Sequence, residues 1–302
     1  MARVLVTGAT GFTGRYLGPR LAQDGHEVIG LSHTRPDTEI AGYVALEECD
    51  LTCPDALNAV IRKWQPSKVV HLAAVAFVAH SDVAEMYRAN VLGTRNLLGA
   101  LAQVDQKPDA VLISSSANVY GNTASGVISE KAPVSPANDY GVTKASVELI
   151  CDIFLDKLPI IVTRPFNYTG VGQSKSFLIP KIIDHLARKA PLIELGNIDV
   201  ARDFSDVRYL VDTYAKLLLA KKAVGKKVNV CSGRAVSLSE VLALASRIAE
   251  HSLEVRVNPA FVRSDEVKSL CGSRDLLETL IGNTGGPALE DTLRWMLEGA
   301  AA

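Results

Sequence analysis

The chain has 302 residues, 48% of them hydrophobic, and a formal net charge of −1. That length and apolar content suit one large α/β unit or two intimate ones and exclude a disordered chain. The balanced charge leaves no basic footprint for nucleic acid, and no apolar run reaches the ~18 residues that a membrane span requires, so neither is an expected partner.

Five cysteines (Cys49, Cys53, Cys151, Cys231 and Cys271) stand without a His or Cys cluster at ligand spacing. They read as reduced thiols with no metal site. The N-terminus opens directly into Val4-Leu5-Val6, without the charged and then apolar pattern of a secretory leader, so the expected location is cytoplasmic.

In chain order, Arg3 to Val6 is a short β-branched run. It breaks at a turn in which Gly8, Gly11 and Gly14 are spaced G-x-x-G-x-x-G, and Tyr16 to Gln23 then reads as a helix. Strand, glycine turn and helix in that order let backbone approach a dinucleotide pyrophosphate over a helix N-terminus. Gly8, Thr10, Gly11, Phe12, Thr13 and Gly14 are therefore candidate cofactor contacts. The second strand, Glu27 to Leu31, runs into Ser32-His33-Thr34-Arg35, with no carboxylate before Asp37. An acid at that strand end grips a ribose 2′-hydroxyl, and its absence leaves room for a 2′-phosphate. NADPH is accordingly favoured over NADH, with Ser32 and Arg35 near the phosphate.

Asp50, with Leu51 beside it, is placed either to reach the adenine amino group or to cap a helix beginning near Pro54. The buried-looking strand Lys68 to Ala74 ends in Ala73 and Ala74, small enough for the cofactor to pass closely, and His71 within it reads as a satisfied core histidine. A helix over Val83 to Gln103 carries Asn90, a further candidate at the cofactor site, whose amide needs hydrogen-bond partners if buried. The strand Ala110 to Ser116 ends in the hydroxyls of Ser114, Ser115 and Ser116, at the edge where parallel sheets bind ligands. A Pro- and Ser-rich loop then leads to Tyr140 and Lys144, which a helical spacing of four places on one face. A cation there favours phenolate and lowers the phenol pKa from its usual ~10. Alone, such a pair is common on helix surfaces.

Together these pieces resemble the extended short-chain dehydrogenase/reductase family: Thr7 to Gly14, His71-Leu72-Ala73-Ala74, Asn90 to Thr94, Ser114 to Gly121 and Tyr140 to Lys144. The resemblance implies that Ser116 is the hydroxyl of a catalytic triad, Tyr140 its acid/base and Lys144 the partner that holds the nicotinamide ribose and keeps the phenol pKa low. Ser114 and Ser115 would then be cofactor or strand-end residues. Arg164 to Gln173, Ser176-Phe177, Ala201 to Val207, Asn229 to Ser237 and Val262 to Glu266 are similar to the GDP-6-deoxy-4-keto-mannose reductase group. Departures are Tyr168 where a His is frequent, Val171 where a Pro is frequent, and a segment after Arg263 without its usual proline.

That group's chemistry is hydride reduction of a 4-keto sugar, which develops negative charge on the carbonyl oxygen and needs donors there. The rival 4,6-dehydration needs an additional acid/base, but Ala117 and Asn118 stand where related dehydratases carry a glutamate. A 4-epimerase, and a non-catalytic dinucleotide-binding sensor or scaffold, are the other readings. The expected substrate is a nucleoside-diphosphate sugar, GDP-linked. Arg202 and Arg263 are candidates for its phosphates, Asn167, Gln173 and Ser176 for neutral contacts and Glu266 for ribose hydroxyls, while Arg164 braces a strand end. The expected fold is α/β: a doubly wound parallel Rossmann sheet over 1–165, with 201–250 packing back on it. A smaller α/β substrate-binding lobe is expected from 166–200 and 251–302. The resemblance further implies a homodimer through helices near Tyr87–Gln103 and Ser146–Asp156.

Overall fold

Successive residues of the first strand face opposite sides of a sheet: Val4 and Val6 enter one apolar core and Leu5 the other. The computed structural model describes residues 1–34, 38–76, 82–122, 126–262 and 268–301. In chain order its elements are β1 (Arg3–Thr7), α1 (Phe12–Gln23), β2 (Glu27–Ser32), β3 (Ala45–Glu48), α2 (Pro54–Trp64), β4 (Lys68–His71), α3 (Val83–Tyr87), a π-helical turn (Arg88–Leu92) and α4 (Gly93–Gln103). There follow β5 (Ala110–Ser114), a 3₁₀ turn (Ala117–Tyr120), β6 (Val127–Ile128), α5 (Asp139–Phe154), β7 (Ile160–Pro165), β8 (Asn167–Thr169), α6 (Leu178–Ala187), β9 (Leu192–Leu195), β10 (Ala201–Asp206) and α7 (Val207–Leu217). The chain closes with β11 (Lys227–Val230), β12 (Ala235–Ser237), α8 (Leu238–Ala249), β13 (Glu254–Val257), β14 (Ser269–Gly272), α9 (Asp275–Ile281) and α10 (Leu289–Ala301).

Seven parallel strands form the large sheet in the order β11-β7-β5-β4-β1-β2-β3. Its inner strands are buried on both faces, which is why β7 reads Ile-Ile-Val-Thr-Arg-Pro with every residue buried. Leu17 and Leu21 of α1 and Leu210, Tyr214 and Leu217 of α7 cover one face. Leu57 and Ile61 of α2, Leu97 and Leu101 of α4 and Val147 and Cys151 of α5 cover the other. The fold is thus a doubly wound α/β sheet with crossovers on both sides.

A second sheet runs β12-β10-β14-β6, with β8 beside β10, and β9 pairs with β13 in a third. The segment 201–250 divides between the two layers, which corrects its assignment as a whole to the large sheet. β11 and α7 do lie there, but Phe204, Val236, Leu238, Val241 and Ala245 join Ile179, Ile182 and Ile183 of α6 and Leu293 and Met296 of α10 in a separate core. Their apolar faces match α6 and α10, so burial draws β10, β12 and α8 into the lobe. Conversely Leu277 of α9, in the stretch assigned to the lobe, is buried in the large sheet's core.

Fully buried Asp203 fastens this lobe. Its Oδ1 accepts from the Ser232 N–H and hydroxyl at 2.7 Å each, and its Oδ2 from the N–H groups of Gly233 at 2.9 Å and Gly272 at 3.3 Å. Burial pushes its carboxyl above the usual carboxylate value, although every one of these donors pulls it down.

The helix expected to run unbroken over Val83–Gln103 is interrupted by the π-helical turn, and Asn90 lies inside it. All five cysteines are free, and only Cys53 is exposed. Among the described residues no helix is long and apolar enough to cross a membrane, and no cluster of metal-ligating side chains occurs.

Candidate active site

The turn after β1 is shaped by steric necessity. Gly8 has φ +71°, and a Cβ there would lie 2.8 Å from the Ala73 nitrogen; one on Gly14 would lie 2.3 Å from the Gly8 oxygen. Gly11 is the N-cap of α1 and offers no side-chain cap. By helix geometry the Phe12, Thr13 and Gly14 amides have no carbonyl four residues back. Backbone donors at a helix N-terminus, beside a cradle that a methyl group would fill, fit a dinucleotide pyrophosphate. The Thr10 carbonyl accepts from Arg15 at 2.9 Å, and Ala73 and Ala74 lie in the coil after β4, Ala73 donating to Thr7 Oγ1 at 3.2 Å.

At the end of β2, Ser32 is buried and its hydroxyl donates to the Thr34 carbonyl at 2.8 Å, closing its own loop. Exposed His33 stands beyond it, 4.0 Å from an Asp50 oxygen. Asp50 accepts from the Thr52 N–H at 2.8 Å, which holds its carboxyl below the usual range. The capping reading of Asp50 does not hold, because the N-cap of α2 is Cys53 and Asp50 caps the preceding turn instead. Leu51 is packed in the core beside Gly93, so its contribution to a ligand surface is at most through backbone; its carbonyl already accepts from Asn96 at 2.9 Å. Arg35, Arg263 and Glu266 lie outside the described residues.

Asn90 is satisfied within the protein: Oδ1 accepts from the Val75 N–H at 2.8 Å, and Nδ2 donates to the Val75 carbonyl and to Thr143 Oγ1, both at 3.1 Å. Its side chain therefore braces the coil after β4 against α5 instead of projecting toward a ligand. Thr143 in turn donates to the Tyr140 carbonyl at 2.7 Å. His71 is buried between Thr7 Oγ1 (2.7 Å from Nδ1) and Thr94 Oγ1 (2.8 Å from Nε2). Because Thr94 spends its proton on the Asn90 carbonyl at 2.6 Å, it accepts from Nε2–H, leaving Nδ1 to accept from Thr7. Burial, and then Lys144, push the imidazole down to about 3, so His71 is the neutral core histidine expected.

The three serines diverge. Ser114 Oγ meets the buried Tyr214 hydroxyl at 3.1 Å. Ser115 donates to Glu148 at 2.7 Å, joining a buried ion pair in which Arg164 Nε reaches Glu148 Oε1 at 2.8 Å and Arg164 Nη1 reaches the Tyr120 hydroxyl at 2.9 Å. Arg164 thus braces a strand end. Ser116 accepts from the Asn118 N–H at 3.2 Å and from Asn118 Nδ2 at 3.0 Å, and it stands near enough to the Tyr140 phenol to draw its pKa down. Helix α5 brings Tyr140 there because Asn138 caps it, accepting from the Gly141 N–H at 2.8 Å.

Lys144 is buried, its Nζ donating to the Ser114 carbonyl at 2.8 Å and lying 5.8 Å from the Tyr140 ring centroid. Burial lowers its pKa to about 8, against the pull of Cys151 and Glu148. The expectation that Lys144 keeps the phenol pKa low is not met. Burial and then nearby Tyr168 raise Tyr140 well above the usual phenol value, and only the neighbouring Ser116 hydroxyl opposes them. Desolvation of the phenol outweighs a cation that is itself desolvated and directed at a carbonyl. At neutral pH the phenol is protonated.

Of the substrate candidates, Asn167 is exposed on β8, and its partner in β10 is Phe204, two residues from Arg202. The Arg202 guanidinium reaches the Ala201 carbonyl at 2.9 Å. Gln173 is engaged internally, accepting from Thr169 at 2.7 Å and donating to the Tyr168 carbonyl at 3.1 Å, so it shapes the turn after β8. Ser176 is exposed and paired with Ser174 at 2.8 Å. Tyr168 was not among the sequence candidates. Its hydroxyl lies 2.8 Å from Thr13 Oγ1, and its ring stacks on Phe12 with centroids 6.1 Å apart. The departure from His at this position was the available signal.

Residues 4–231 match the model of the NAD dependent epimerase/dehydratase family. The chain is similar to GDP-6-deoxy-D-talose 4-dehydrogenase of Aggregatibacter actinomycetemcomitans (33% identical, 93% of this chain and 92% of that one). It is also similar to GDP-6-deoxy-D-mannose reductase of Pseudomonas aeruginosa (34%, 98% and 96%). Among solved structures it resembles a candidate epimerase from Burkholderia cenocepacia (47% identical, TM-score 0.93, 99% of this chain and 98% of that one). It likewise resembles RMD from Pseudomonas aeruginosa complexed with NADPH (31%, TM-score 0.85, 100% and 98%).

Proposed function

The chain belongs to the NAD dependent epimerase/dehydratase family, and from that premise we propose that it reduces the 4-keto group of a nucleoside-diphosphate 4-keto-6-deoxyhexose with NADPH. The substrate we favour is GDP-4-dehydro-6-deoxy-D-mannose and the product GDP-D-rhamnose. Both named relatives carry GDP-linked 6-deoxyhexoses in their names, which supports the guanosine nucleotide. The absence of a carboxylate at the end of β2 and the NADPH bound to RMD support that cofactor.

The observation that carries the reading is the protonated Tyr140 phenol set beside Ser116, its ring centroid 5.8 Å from the buried Lys144 ammonium, at the ligand edge of the sheet. Bound reduced nicotinamide supplies the hydride. As charge develops on the sugar O4, Tyr140 donates its proton there and Ser116 donates a hydrogen bond, the form and place that a reduction requires. Lys144 is the partner of Tyr140 toward the nicotinamide ribose. Asn118, engaged with Ser116, has no proton to cycle and does not serve the 6-hydroxyl expulsion of a dehydratase. Arg202 and Arg263 serve the two phosphates, and Asn167 the sugar side. Exposed Leu149 and Ile153 on α5, with Leu92 in the π-helical turn, supply an apolar face for a homodimer.

Replacing Tyr140 by Phe keeps the ring and removes the proton. The expected loss in kcat is at least ~10²-fold, followed as disappearance of the reduced cofactor's absorbance with the 4-keto sugar. A folded Tyr140→Phe variant with near-wild-type turnover overturns the assignment. The likeness to a candidate epimerase favours a second reading, interconversion at C4. An epimerase leaves added NADPH unconsumed while the C4 configuration of the sugar changes.

A further inference from the structure

We propose that Tyr168, a residue of the second sheet, positions the cofactor by holding the first turn of α1 through the Thr13 hydroxyl. The inference rests on the nicotinamide-cofactor part of the reading above and not on the identity of the sugar. Three contacts tie Tyr168 and Val171 to Phe12, Thr13 and Tyr16 of α1. The Tyr168 hydroxyl lies 2.8 Å from Thr13 Oγ1, its ring is parallel to Phe12 within 10°, and the Tyr16 hydroxyl donates to the Val171 carbonyl at 2.6 Å. Phe12 and Thr13 carry two of the amides that no helical carbonyl satisfies.

A threonine at the second position of a helix can turn its hydroxyl in several directions. Here it is fixed by a phenol that comes from 155 residues away in sequence. Thr13 is nearly buried and Tyr168 half-buried, so the bond is shielded from competing water. The amides that meet the pyrophosphate are therefore aligned from the substrate-side layer, and cofactor affinity depends on a residue that need not touch the cofactor. A histidine in place of Tyr168 would lack the phenol's reach.

A double-mutant cycle on cofactor binding tests this. NADPH is titrated by fluorescence into the wild-type protein, Tyr168→Phe, Thr13→Val and the double variant, with NADH in a parallel series. Tyr168→Phe retains the ring stack, and thermal melting of each unliganded variant reports its folding. Each single change is expected to weaken NADPH binding about three- to tenfold, the effect of one net hydrogen bond, and the double change no more than the worse single. Wild-type affinity in Tyr168→Phe, a lowered melting temperature with unchanged affinity, or single effects that multiply in the double variant overturns the proposal. A wild-type protein that binds neither NADPH nor NADH overturns the cofactor reading and this inference with it.

Discussion

Helix α5, which carries Tyr140 and Lys144, is held from two sides by clusters of opposite character. Toward β1 and β4 the cluster is neutral: Thr7, His71, Thr94, Asn90 and Thr143 pass hydrogen bonds in one direction. Toward β7 it is ionic. Glu148 and Arg164 are both 3% exposed, and Ser115, Tyr120 and Lys227 gather around them. A neutral relay fixes direction at small desolvation cost. A buried ion pair fixes position more firmly, but only while both members remain.

The ionic side is expected to be the more sensitive to substitution. Arg164→Met leaves Glu148 buried without its main partner and is expected to cost about 3–5 kcal/mol in urea unfolding. Adding Glu148→Leu should recover most of that loss. A double variant as unstable as the single would mean that packing, not charge, is what Arg164 supplies. On the neutral side His71→Phe leaves two buried threonine hydroxyls short of a partner, with an expected loss of about 1–3 kcal/mol. A loss larger than that of Arg164→Met would reverse the ranking of the two clusters.

The smallest effect is a pH dependence. The folded His71 pKa of about 3 lies below the unfolded value of ~6.5, so the unfolded chain takes up the proton first. The contribution is complete above pH ~6.5 and declines as pH falls toward 3, amounting to about 1 kcal/mol lost at pH 5.5. The fall in stability between pH 6.5 and 5 should therefore be shallower in His71→Phe than in the wild type. Equal slopes would show that His71 is not buried neutral.

The sequence made legible whatever a short stretch determines by itself. Gly8 and Gly14 are needed where they stand because neighbouring backbone leaves no room for a Cβ, and Tyr140 and Lys144 share a helix face through their spacing. The α/β alternation gave the fold class. What stayed hidden depends on distant partners. Residues 71, 94, 90 and 143 meet only after folding, and Tyr168 reaches Thr13 only once the second sheet is seated. The π-helical turn has no propensity signal, so Val83–Gln103 read as one helix. The order of effects on Tyr140 was equally out of reach, because burial of the phenol and of Lys144 are properties of the assembled core.

Asp203 has a consequence for the order in which the chain acquires structure. Its two oxygens are met by backbone and hydroxyl groups from residues 232, 233 and 272, so a nascent chain that has not yet reached Gly272 cannot complete the set. Six of the seven strands of the large sheet lie before residue 166 and can assemble while the rest is being synthesised. The lobe is therefore expected to close last, near the end of translation, around a carboxylate that waits for the final segment.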